Sequence, residues 1–298
     1  SGNVTRTVSV RVSGMAGSRK ISFEHETLPA LAKAGCSGGA CHGSPHGKGE
    51  FRLSLFGFEP EFDRASLVRE SQSRRVNTIN PAESLLLRKP TMQIPHAGGR
   101  RLKQGDALYS LLHNWIREGC PVDPPEAACL GIDVFPSASR VLRFPANTQQ
   151  FSVLARFSDG SVRDVTYLSQ FSLSDPTIAD ASTSGLITGK NRGETAVIVR
   201  YLEFIETPLL TFVQDVDNFV WNGPPTFNYV DEKVDQKLKQ LQYQPASVCS
   251  DETFVRRVYL DVLGTLPTIE DSDRFLTDTS PEKRKRLIDE LLGRPDFA

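Results

Sequence analysis

The sequence of 298 residues shows few of the features that mark membrane-spanning, nucleic-acid-binding or disulfide-rich proteins. It contains no apolar run near the roughly 18–20 residues that a membrane-spanning helix needs, so we predict no membrane span within it. Lysine and arginine number 35, and aspartate and glutamate 36. The formal net charge of −1 therefore gives no sign of a nucleic-acid or charged-membrane partner. The five cysteines are too few, and odd in number, for a disulfide-built scaffold. What is present, 39% hydrophobic and 24% charged residues, is typical of a globular protein of two or three domains.

Two of the five cysteines lie with a histidine in the stretch AGCSGGACHG, residues 34–43. A cysteine pair followed directly by histidine is the arrangement that attaches c-type haem, in which each thiol forms a thioether and the histidine binds the iron. Here four residues separate Cys36 from Cys41, where two are usual. The longer loop must bulge, and we expect Gly38 and Gly39 to supply the conformational freedom. We predict one covalent haem c on the two cysteines, with His42 as the proximal ligand.

Two other interpretations of this loop remain open. Zinc would use two sulfurs and two nitrogens, from Cys36, Cys41, His42 and His46, although the adjacent Cys41 and His42 point in divergent directions and would chelate one tetrahedral ion poorly. Alternatively, Cys36 and Cys41 form a disulfide or a redox-active dithiol.

A second histidine lies where a distal haem ligand is needed, in the loop PTMQIPHAGGRR, residues 90–101, before the last helix of this region. We favour His96 as the sixth ligand, because its small neighbours leave its approach to the iron open. Met92 is the alternative, and a sulfur ligand would raise the iron potential. Arg100 and Arg101 follow directly and are candidates for pairing with the haem propionates; solvent exposure without a partner is the other interpretation.

The remaining cysteines carry weaker signals. Cys120 and Cys129 flank a proline-rich segment, where either a short disulfide loop or two free thiols fit the sequence. Cys249 is predicted to be a free thiol.

The periodicity of apolar residues divides the chain into three regions. Residues 1–19 contain a period-two strand at 4–12, interpreted as the remnant of a preceding region. Residues 20–120 are predicted to be all-α, and residues 130–216, where the period becomes two, to form an all-β sandwich with a hairpin turn at Asp159-Gly160. After linkers at 121–129 and 217–227, residues 228–298 show helical periodicity and are interpreted as a truncated helical domain. The helices of the first region are predicted at residues 26–34, 61–70, 82–88 and 104–119, the last capped by Asp106.

Several segments together resemble one family. These are AGCSGGACHG (34–43), FRLSLFGF (51–58), PHAGGRR (95–101) and SDETFVRRVYLDVLGTLPT (250–268), and FSDGSVRDVT (157–166) is similar to the group-2 bacterial Ig-like pattern. The family is that of planctomycete-type exported proteins, which join a cytochrome c-like domain, a bacterial Ig-like domain and DUF1549, usually followed by DUF1553. The resemblance implies haem on Cys36 and Cys41, His42 as proximal ligand and a periplasmic or otherwise exported location. The loop histidine, here His96, is recurrent in the family, which supports it as the sixth ligand.

The sequence thus predicts an electron-transfer protein with a mono-haem module, and not an enzyme in this part of the chain. Two protein ligands would leave no open position on the iron. The redox partner protein is unknown, and the Ig-like domain is expected to act as a spacer or to dock other domains or chains. The alternatives are a haem-based sensor or peroxidase-like enzyme, and an adhesion module stabilised by zinc or a disulfide.

Overall fold

The computed structural model describes Ser9, residues 20–123 and residues 127–297. Apart from Ser9, the strand predicted at 4–12 lies outside these residues. An N-terminal helical part, a middle β-sheet region and a C-terminal helical region follow one another, which confirms the predicted multidomain layout. The chain divides into two compact units, Ser1–Phe219 and Val220–Ala298.

The helical part of the first unit is built from short helices joined by long loops. A π-helical turn, Phe23–Thr27, leads directly into the helix Leu28–Lys33. At the other end of this part, Asp106 accepts a hydrogen bond from the Tyr109 N–H at 2.7 Å, so it caps the last helix as predicted. Trp115 of that helix is fully buried and stacks on Phe23 with 5.3 Å between ring centroids. The helices are α1 (Leu28–Lys33), α2 (Pro60–Val68), α3 (Leu85–Arg88) and α4 (Ala107–Arg117), with 3-10 turns at Lys48–Glu50, Leu55–Gly57, Ser71–Ser73 and Pro81–Glu83.

The middle region is built from short, mostly antiparallel strands. They are β1 (Cys129–Phe135), β2 (Arg140–Arg143), β3 (Thr148–Gln150), β4 (Ser152–Phe157), β5 (Val162–Asp164), β6 (Gln170–Leu173), β7 (Ala179–Ala181), β8 (Leu186–Gly189), β9 (Gly193–Tyr201), β10 (Phe204–Glu206) and β11 (Leu209–Val213). They pair in the orders β1-β4-β5, β10-β9-β11-β2 and β3-β8-β7, with β6 on β9; only β2 and β11 pair in parallel. The turn at Asp159-Gly160 joins β4 to β5 as predicted.

The helical part and the β-sheet region share one continuous hydrophobic core. Polar contacts also join them. The buried Tyr201 hydroxyl donates to the His25 carbonyl at 2.7 Å, and Lys33 Nζ of α1 donates to the Thr166 carbonyl at 3.3 Å. The helices therefore rest on the sheets through specific contacts.

Lys33 at this contact is expected to make stability depend on pH. Burial lowers the pKa of Lys33 from 10.5 to about 8. Between pH 8 and 10.5 the unfolded chain therefore holds more protons than the folded one, so this residue makes stability rise with pH. We expect Lys33→Met to stabilise the protein at pH 7 by about 1 kcal/mol, after allowance for partial exposure and the lost hydrogen bond.

Urea unfolding at pH 7 and pH 10 checks this. The gain from Lys33→Met should shrink at the higher pH, while the exposed control Lys103→Met should change little at either. An equal gain at both pH values would show that charge burial at Lys33 is not the cause.

The second unit has its own small core. Its helices are α5 (Tyr229–Leu241), α6 (Asp251–Leu263), α7 (Ile269–Thr277) and α8 (Lys283–Leu292). The buried core residues come from the last three: Val255, Val258, Tyr259, Phe275, Leu287 and Leu291. Within the described residues, no helix is both long enough and apolar enough to span a bilayer.

Candidate functional site

One cavity in the helical part brings together the residues that the sequence singled out. Cys36, Cys41, His42 and His96 all line it, although His96 lies more than fifty positions along the chain from the others. Much of the remaining wall is apolar, from Leu31, Phe51, Leu53, Leu85, Leu86 and Pro90. A mostly apolar wall with a few polar groups is typical of a pocket that binds a small molecule or a cofactor.

The loop that carries the cysteines is folded tightly on itself. The His42 N–H donates to the Cys36 carbonyl at 3.0 Å, and the Gly43 N–H donates to the Gly38 carbonyl at 3.0 Å. Neither Gly38 nor Gly39 has a positive φ, so the loop does not use them for a left-handed turn. The loop favours glycine at Gly35, where φ is 79°, and at Gly43, where a Cβ would lie 2.1 Å from the Ser37 carbonyl oxygen.

His42 is held by the segment that runs beside the loop. Its Nδ1 lies 2.9 Å from the Phe51 carbonyl oxygen, and its ring packs on the Phe51 ring at 4.5 Å between centroids. A carbonyl can only accept, so Nδ1 must carry the proton and Nε2 keeps its lone pair. Burial also lowers the pKa of His42, which favours the neutral imidazole that binds metals.

His96 is held in the same way from the opposite loop. Its Nδ1 lies 2.8 Å from the Gly99 carbonyl oxygen, so its Nε2 also keeps a free lone pair. The space beside it is tight, since a Cβ at Gly98 would lie 2.7 Å from Cε1 of the His96 ring. Both histidines thus have the backbone hydrogen bond that orients metal-binding imidazoles in proteins.

The distance between the two imidazoles is of the size that one metal ion bound to both would require. The ring centroids of His42 and His96 are 6.3 Å apart, and the ring planes differ by 20°. Two imidazoles bound from opposite sides, with metal–nitrogen bonds of roughly 2 Å, have centroids about 6 Å apart. With two thiols on the same cavity, the donor set fits covalent haem with two histidine ligands.

The alternative distal ligand lies elsewhere. Met92 is 44% exposed, has a positive φ of 64° and does not line the cavity. The structure therefore brings His96, and not Met92, to the two cysteines.

The zinc and dithiol interpretations find less support in the geometry. Within the part of the chain that the structure describes, no three His, Cys, Asp or Glu side chains are grouped as metal ligands, and His46 is exposed. Cys36 and Cys41 are free thiols. Burial, and secondarily the neighbouring Cys41, raises the pKa of Cys36 to about 12, whereas redox-active dithiols have a lowered thiol pKa.

The cavity is also lined by four basic residues that were not identified from the sequence: Lys48, Arg74, Arg75 and Lys89. They come from three separate segments, so no local motif could have pointed to them. The predicted propionate contacts are placed differently. Arg100 and Arg101 are exposed and outside the cavity wall; Arg101 Nε donates to the Gly98 carbonyl at 2.8 Å, and its guanidinium lies 4.0 Å from Cys41 Sγ.

The remaining cysteine pair is not bonded in the structure. Cys120 and Cys129 are both free thiols, the first buried and the second partly buried. Burial raises the pKa of Cys120 to about 11. The disulfide that the sequence left open between them is therefore not formed.

Comparison with known proteins identifies only the end of the chain. A family model described as PSCyt2, protein of unknown function (DUF1549), matches residues 229–298. This confirms the DUF1549 part of the resemblance. The matched residues are the four helices of the second unit and the few residues after them, so the match says nothing of the cavity in the first unit. No curated protein matches the chain.

Proposed function

We propose that the helical part of this chain is a c-type cytochrome module that carries one covalent haem and transfers single electrons. The observation that carries the proposal is the pair of imidazoles 6.3 Å apart, each with Nδ1 on a backbone carbonyl and both lining one cavity with two thiols. Each of these features alone has an explanation that does not involve haem, but the presence of all of them at one site favours haem.

Two pairs of residues are proposed to hold the haem, one by covalent attachment and the other by binding the iron. Cys36 and Cys41 would hold the cofactor by thioether bonds, and His42 and His96 would bind the iron. When bound, the haem supplies an iron that exchanges one electron at a time. Because two protein ligands would leave no open position on the iron, we propose electron transfer with a partner protein and not catalysis at the iron.

The other regions are proposed to support this module. The β-sheet region is interpreted as the Ig-like domain, and its continuous core with the helical part suits a rigid platform that positions the haem. The implied export is part of the proposal, because c-type haem is attached on the outer side of the cytoplasmic membrane.

Haem staining of a denaturing gel tests attachment directly. We expect protein made with the haem-attachment machinery to stain, and the double variant Cys36→Ser/Cys41→Ser to lose the stain, because only thioether-bound haem survives denaturation. The control Cys249→Ser, in the second unit, should stain like the unaltered protein. A colourless unaltered protein would contradict the proposal and favour the zinc- or disulfide-stabilised module.

A further inference from the structure

The mouth of the cavity carries positive charge without a matching negative charge. Lys48, Arg74 and Lys89 line it and are exposed, and no described carboxylate lines the cavity with them. None of the three forms an ion pair with a described residue, whereas many other cations of the chain do, as in Arg88–Glu83 and Lys190–Asp180. Three like charges around one opening repel one another, and a bound anion would relieve this repulsion.

Arg75, the fourth basic residue of the cavity wall, fixes the position of the chain beside Arg74. Arg75 is only 8% exposed, donates to the Ser66 carbonyl at 2.6 Å and stacks on the Phe51 ring at 4.5 Å. It also lies 3.6 Å from Glu70. Because its partners are within the protein, Arg75 anchors the chain here and leaves its neighbour Arg74 at the opening.

We infer that Lys48, Arg74 and Lys89 bind the two carboxylates of the haem at the mouth of the cavity. This inference rests on the proposed function. Haem is an apolar disc with two carboxylates on one edge, so a ligand seated on the apolar wall presents its charges where that wall meets solvent. Lysine and arginine form charge-assisted hydrogen bonds to carboxylates. The three cations are therefore assigned the role that the sequence suggested for Arg100 and Arg101.

The test compares two porphyrins that differ only in the charge of this edge. The full-length Cys36→Ser/Cys41→Ser chain, which cannot form thioethers, is titrated with ferric haemin and with its dimethyl ester, and binding is followed by visible absorbance. We expect haemin to bind about tenfold to a hundredfold more tightly than the uncharged ester. Adding Lys48→Gln, Arg74→Gln and Lys89→Gln should remove that preference and leave affinity for the ester unchanged.

Two matched sets of variants separate local from general charge effects. A triple variant at exposed cations outside the cavity wall, Arg69→Gln, Lys103→Gln and Arg117→Gln, should keep the preference for haemin. If Arg100→Gln/Arg101→Gln removes the preference for haemin instead, the haem carboxylates lie against the loop that carries these two arginines, and the inference is overturned. Equal binding of both porphyrins to the Cys36→Ser/Cys41→Ser chain with its three cations in place also overturns the inference but leaves haem binding intact. Failure of both porphyrins to bind overturns the inference and counts against the proposed function.

Discussion

Replacing His96 with alanine is expected to convert the ferric visible spectrum of the haem-loaded protein from low-spin to high-spin. His96 is proposed to fill the sixth position of the iron, and no other histidine or methionine among the described residues lines the cavity to take its place apart from the proximal His42. Loss of a strong-field imidazole leaves a weak ligand such as water. The variant should also bind carbon monoxide in the ferrous state far more readily than the unaltered protein.

Two matched substitutions in the neighbouring loops show whether this effect is specific. His46→Ala removes an exposed histidine near the attachment loop, and Met92→Leu removes the exposed sulfur of the distal loop. Both should leave the low-spin spectrum unchanged. All variants retain Cys36 and Cys41, so haem staining of denatured protein should be equal in the set.

The other outcomes identify the rival functions. A His96→Ala spectrum that stays low-spin, together with a high-spin Met92→Leu spectrum, would assign the sixth position to sulfur. An unaltered protein that is already high-spin and binds carbon monoxide readily would have an open iron position. That result would favour the sensor or peroxidase-like alternative over electron transfer.

The features predicted correctly from the sequence are those that depend on near neighbours. The Asp106 cap needs only the residue three positions later, and the turn at Asp159-Gly160 needs only its own two residues. The two cysteines and His42 lie close together in the sequence, between positions 36 and 42, so their shared cavity was foreseeable.

What the sequence did not reveal depends on how distant segments meet. Nothing near His42 shows that the carbonyl of Phe51 orients it, and nothing links Lys48, Arg74 and Lys89 before the chain folds. Gly38 and Gly39 were favoured because they lie inside the loop. The need for glycine at Gly43 comes instead from the backbone of Ser37 closing against it.

Replacing Asp63 with alanine is expected to destabilise the helical part by about 3 kcal/mol. Asp63 of α2 is fully buried, and its carboxylate accepts from the Ser54 N–H at 2.5 Å and from the Ser54 hydroxyl at 2.6 Å. The Ser54 hydroxyl in turn accepts from the Glu59 N–H at 2.9 Å. Alanine would leave the buried Ser54 N–H and the proton of the Ser54 hydroxyl without an acceptor, along with a cavity where the carboxylate was.

This network holds the segment on which the attachment loop depends. Just before Ser54, the Leu53 N–H donates to the His42 carbonyl at 2.8 Å, and just after it the Phe56 N–H donates to the Ser37 carbonyl at 3.2 Å. Loosening Ser54 should therefore also loosen the loop that carries His42. We expect Asp63→Ala to lower the yield of haem attachment as well as the free energy of unfolding.

Urea unfolding followed by Trp115 fluorescence, in a Trp221→Phe background, measures the first unit, because Trp115 lies in the core that its helical part shares with the β-sheet region. Asp63→Asn should cost less than Asp63→Ala, since its amide oxygen can still accept from the Ser54 N–H while its NH₂ group donates to the hydroxyl. Ser54→Ala should also cost less, because it keeps the N–H and the carboxylate paired. Equal losses for Asp63→Ala and Asp63→Asn would show that the two hydrogen bonds to Ser54 do not stabilise this segment.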